Sequence, residues 1–125
     1  MEGKLLALAA GVAVLIVSVP AVAHHGTAAF DTEKTVTTKG TMVEFKFSNP
    51  HVQLVWSVKT DKGEEMWQGE MTAPNKLQRA GWTNHTLKPG DSVTVSGYAV
   101  KSGAHTMWIR KLIGPDGQEL PLFEE

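Results

Sequence analysis

No cysteine occurs among the 125 residues. Disulfides, thiolate metal sites and cysteine nucleophiles are therefore excluded, and stability must come from burial of aromatic and β-branched side chains. The chain also lacks a helical His-Glu-x-x-His pair, a Gly-x-Ser-x-Gly elbow, a Walker loop and a dinucleotide-binding glycine pattern. With these go the usual signatures of zinc proteases, α/β hydrolases and nucleotide-dependent enzymes, so any catalysis would have to be metal-based. Basic residues form no cluster beside the aromatics and the net charge is only −1, which argues against a nucleic-acid partner. There is no internal repeat and no low-complexity tract.

What is present begins at the amino terminus. Lys4 precedes an apolar run from Leu5 to Val19, Pro20 breaks any helix, and Ala21-Val22-Ala23 forms a small-x-small site. This pattern predicts a secretory signal over residues 1–23, cleaved after Ala23. The run is short of the roughly 20 apolar residues that a bilayer span needs, so no stable membrane span is expected after processing. The expected location is periplasmic or secreted. Loss of Lys4 and Glu2 removes one charge of each sign and leaves the balance unchanged.

The remaining residues divide into an arm, 24–35, expected to pack through Phe30, and one domain, 36–125. Alternation predicts strands over Val36–Phe47, Val52–Val58, Glu64–Met71, Ser92–Val100 and Thr106–Ile113. Asp61-Lys62-Gly63, Leu87 to Asp91, and Lys101-Ser102-Gly103 supply turns between them. Between the third and fourth strands, Ala73 to Gly81 carries a proline near a helix start and a glycine where a helix would end, which predicts one short helix. The fold class that follows is all-β with one short helix: a five-stranded OB-like Greek-key barrel after an N-terminal signal helix. An immunoglobulin-like sandwich would require about seven strands and no central helix.

The candidate chemistry lies in five histidines, at positions 24, 25, 51, 85 and 105. Cleavage after Ala23 would make His24 the first residue, whose α-amine and ring can chelate one metal. A ring nitrogen from a second histidine would complete a T-shaped site suited to Cu(II), the arrangement called a histidine brace. His51, just beyond the Ser48-Asn49-Pro50 corner, is the expected third ligand, with His25 and His105 in reserve. His105 and Met107 lie two apart, so they are expected on one side of the fifth strand, with core packing the default for Met107. Glu70 is a candidate to orient a histidine from behind. His85 is expected to be exposed, and the four tryptophans are expected to fill the core.

The pattern of His24-His25-Gly26, Phe30-Asp31, Ser48-Asn49-Pro50-His51, Trp67 with Glu70, Pro74-Asn75 with Leu77, Arg79-Ala80-Gly81-Trp82, Lys88-Pro89-Gly90-Asp91, and Val95 with Gly97-Tyr98 resembles a family of small exported bacterial proteins grouped as a domain of unknown function. Gly26 stands where that family commonly has serine, and Ala80 where a second arginine is frequent. The resemblance implies an exported OB-like domain and brings no established activity. A looser likeness, through His105 and Met107 with a neighbouring tryptophan, is to periplasmic OB-fold copper chaperones. The function expected is a periplasmic metal-binding protein, with copper as its metal. The competing expectation is a non-enzymatic OB-fold module that binds a small ligand or a periplasmic protein partner, its histidines being structural. A copper oxidase or oxygenase is the weaker third class, because nothing in the sequence defines a substrate face.

Overall fold

The computed structural model describes residues 29–122. The expected signal segment, its cleavage site, His24 and His25 lie outside the described residues. Six strands and one helix follow in chain order: β1 Phe30–Lys46, β2 Gln53–Thr60, β3 Gly63–Glu70, α1 Pro74–Arg79, β4 Ser92–Val100, β5 Thr106–Ile113 and β6 Glu119–Leu120. They form one sheet in the order β3-β2-β1-β4-β5-β6, closed by a parallel β3–β5 pairing while all other neighbours are antiparallel. The expected barrel with a helix between its third and fourth strands is what the chain adopts.

Alternation explains which face each strand buries. On β2, Leu54 and Trp56 are fully buried, as is Val52 just before the strand, whereas Gln53 is exposed. On β3, Trp67 and Gly69 turn inward, while Met66 and Gln68 turn outward. Val93 and Val95 of β4 meet Met107, Ile109 and Leu112 of β5 in one continuous core. Leu77 of α1 is also fully buried in it. Pro74 opens that helix, where its missing amide hydrogen costs nothing, and Gly81 lies just past its end with φ +92°. Trp56, Trp67 and Trp82 are core residues as expected, but Trp108 is only half-buried, because its neighbours Met107 and Ile109 take the inward positions of β5. The indole N–H of Trp56 donates to Thr38 Oγ1 at 2.9 Å, and that of Trp82 to the Pro121 carbonyl at 2.8 Å, which removes the cost of burying those groups.

Two boundaries differ from the sequence reading. The strand expected from Val36 starts at Phe30, because the arm joins β4 through the pair Phe30↔Val100 before its register shifts and resumes at Thr35↔Tyr98. The polar composition of Asp31 to Lys34 hides this, since an irregular edge segment buries little and shows no period. At the other end, Glu119 and Leu120 pair with Ile113 and Leu112 as β6, a two-residue strand too short to leave a pattern.

Two glycines permit the barrel's tight curvature. A Cβ on Gly40 would collide with the Ser57 carbonyl where β1 passes from β4 to β2, and one on Gly97 would collide with the Trp108 carbonyl at the bulge between β4 and β5.

Candidate functional site

The parallel seam places Glu70, the last residue of β3, in register with Trp108 of β5. Antiparallel pairing places it opposite Gln53 of β2. His51 enters the same neighbourhood from the corner that precedes β2. Three elements thus converge on the outer wall at one end of the seam.

The geometry is specific. Glu70 Oε2 lies 3.6 Å from His51 Nδ1, with both side chains a little over one-third exposed. The other carboxylate oxygen, Oε1, accepts a hydrogen bond of 3.2 Å from Gln53 Nε2. The His51 ring meets Trp108 edge-on, with centroids 5.4 Å apart and planes at 83°. Trp108 in turn packs against Phe30 at 6.3 Å, and Phe30 is buried. The imidazole is therefore flanked on one side by an indole and on another by a carboxylate that is itself held. A carboxylate beside Nδ1 favours the proton on that nitrogen and leaves the Nε2 lone pair available.

His105 occupies a second, separate position. Its Nε2 lies 3.7 Å from Glu65 Oε2, and its ring stacks on Trp67 at 4.8 Å and 17°. The Trp67 indole N–H donates to the same Glu65 oxygen at 3.4 Å. Glu65 and Glu70 are five residues apart on an extended strand, roughly 16 Å, and an odd interval points them to opposite faces. The structure therefore brings His51 to Glu70 and keeps His105 apart from both. Met107 is fully buried in the core, while His105 is on the surface just before β5 begins, so the two do not share a ligand position. His85 is exposed. Among the described residues no group of three or more His, Cys, Asp or Glu side chains could hold a metal ion, and no helix is long and apolar enough to cross a membrane.

The contribution of Trp108 and Phe30 was not legible in advance. Trp108 reads as core filling and Phe30 as the residue through which the arm packs, and only the β3–β5 and β1–β4 pairings reveal that Trp108 lies beside His51 with Phe30 packed against that indole. Gln53 likewise carries no signal until it is known to sit opposite Glu70.

Residues 12–108 match the family model of DUF6152, a family of unknown function. The chain belongs to this family. All five histidines and Glu70 of this DUF6152 member fall within the matched span. No curated protein matches it significantly. Two solved structures are similar in part: the apo form of TiaS, an agmatidine synthetase for an isoleucine tRNA, and a ZRD-deleted mutant of TiaS in complex with agmatine. The first has 17% identity and a TM-score of 0.42 over 66% of this chain and 18% of that one. The second has 16% identity and a TM-score of 0.43 over 74% of this chain and 25% of that one. The DUF6152 chain thus spans a quarter or less of either synthetase, and neither likeness carries an argument about its function.

Proposed function

We propose that this protein is an exported metal-binding domain suited to copper, whose donors are the α-amine and ring of His24, freed by cleavage after Ala23, and the Nε2 of His51. One observation carries the reading: the chain enters the barrel at Phe30, and a single indole, Trp108, separates Phe30 from the His51 ring. His24 precedes Phe30 by six residues, a length of chain that reaches at most about 20 Å when extended. The amino-terminal donors are therefore tethered within reach of His51, and His25 is one residue nearer. His105, stacked on Trp67 and beside Glu65, has no comparable claim.

The chemistry of the donor set supports copper. Three nitrogen donors and no thioether favour Cu(II), which stands at the top of the divalent affinity series for such ligands. Glu70 sets a carboxylate 3.6 Å from the other ring nitrogen, where a ligating imidazole usually has an acidic partner, and Gln53 steadies that carboxylate.

The test is native mass spectrometry of the exported, purified protein, which reads the N-terminus and any bound metal, followed by Cu(II) titration of the metal-free form. The expected result is a chain beginning at His24 that binds one copper, with His24→Ala and His51→Ala each weakening binding by at least about a hundredfold while the fold is retained. A different N-terminus, or affinity unchanged in both variants, refutes the site.

A further inference from the structure

A concavity of about 700 Å³ lies on the outer wall, lined by residues of β1, β2 and β4 and bounded by the Gly114–Gly117 turn after β5. Gly40 belongs to its lining, and a Cβ there would collide with the Ser57 carbonyl. The pairs Thr41↔Ser57 and Thr41↔Ser92 fix the outward face at this point. Lys39 and Lys59 each lie two residues from Thr41 and Ser57, so both point out on that same face. Lys39 is in register with Thr94.

The lining is unusual in its chemistry. Four hydroxyls, from Thr41, Ser57, Ser92 and Thr94, surround two exposed ammonium groups. Neither Lys39 nor Lys59 forms an ion pair among the described residues. The single carboxylate in the lining, Glu64, sits opposite Lys59 on β3 and cannot neutralise both. Two like charges facing one concavity repel each other, and an anion seated between them removes that repulsion. The hydroxyls add donors and acceptors for further oxygens.

We propose that this concavity binds a small oxygen-rich organic anion, a polycarboxylate or a phosphate ester. Lys39 and Lys59 meet its charges, and the hydroxyls of Thr41, Ser57, Ser92 and Thr94 meet its remaining oxygens. A membrane surface fits less well, because the wall is concave and Val43 is the one strongly exposed large apolar side chain in its lining. The site lies toward the opposite end of β2 from His51 and is lined by none of His51, Glu70, Gln53 and Trp108, so it stands independently of the copper reading.

The experiment is a titration of the metal-free full mature chain, followed by amide NMR, with citrate and inorganic pyrophosphate as separate probes and glycerol as an uncharged control. Saturable shifts centred on Thr41, Ser57, Ser92 and Thr94 are expected for at least one anion, and the responding probe tells carboxylate from phosphate chemistry. Lys39→Ala and Lys59→Ala should each weaken binding about tenfold, the loss of one charge-assisted hydrogen bond, while Lys39→Arg retains most of it. No saturable shift with either anion, shifts that sodium chloride at equal ionic strength reproduces, or affinity unchanged in both alanine variants would overturn the proposal.

Discussion

Glu70 and His51 face each other across 3.6 Å, carboxylate oxygen to Nδ1, at the place where β3 meets β5. The carboxylate is not left to swing freely, since Gln53 holds its second oxygen. If the pair presents Nε2 to copper, Glu70→Gln keeps the shape and loses the charge that orients the ring. The expected outcome is Cu(II) affinity lowered about tenfold or more, with unchanged far-ultraviolet circular dichroism. Competition titration against a chelator of known affinity measures it.

Phe30 ties the amino-terminal arm to Trp108 without offering a metal donor. Phe30→Ala should lower stability by about 3–5 kcal/mol, as for other buried aromatics. It should also weaken copper binding, because His24 is then less confined near His51. Phe30→Leu, which keeps most of the apolar contact, should recover both. Denaturant titration and copper titration on the same samples separate the two effects.

Trp56 is fully buried, and its indole N–H has Thr38 Oγ1 as partner. Thr38→Val removes the acceptor with little change of shape and leaves a buried donor unpaired, at a cost of about 1–3 kcal/mol. Thr38→Ser should be near neutral. Urea unfolding of the two variants tests the assignment.

Gly97→Ala should be more damaging than most single-methyl additions, because the new Cβ meets the Trp108 carbonyl, part of the backbone, instead of a flexible side chain. A loss of about 1–3 kcal/mol is expected, read as a lowered melting temperature. Alanine at Gly103, whose surroundings are open but whose φ is +83°, tests conformational strain alone.

Copper removal should leave the fold intact. The core is continuous and contains none of the described histidines, His51, His85 and His105, unlike small domains whose folding depends on metal. The chelated protein should keep its circular dichroism spectrum, and added Cu(II) should raise its stability by about 2.7 kcal/mol at a hundred times the dissociation constant. A differential scanning experiment with and without copper decides this.

Much of the architecture was legible because burial imposes a period. Val52, Leu54 and Trp56 alternate with exposed or half-exposed residues, and Val93 and Val95 do the same on β4, so those strands announce themselves. Pro74 and Gly81 mark the limits of α1 through backbone constraints that are local to each residue. Residues 30–35, within the expected arm 24–35, show no strand pattern because their pairing with β4 is irregular and leaves no alternation to detect.

The site was legible only as a set of residue types. His51 and Glu70 could be singled out for their chemistry, but the distance between them depends on a corner, a hairpin register and the parallel β3–β5 closure acting together. The same closure decided that Trp108 stands beside His51 and that His105 belongs with Glu65 and Trp67. By itself, the sequence determined the absence of thiol chemistry, the strand periods, the helix limits and the stock of histidines, because these are properties of single residues and near neighbours. The tertiary structure alone decided which histidine meets which carboxylate and that two lysines share one concavity, because such meetings are set by long-range pairing and leave no local trace.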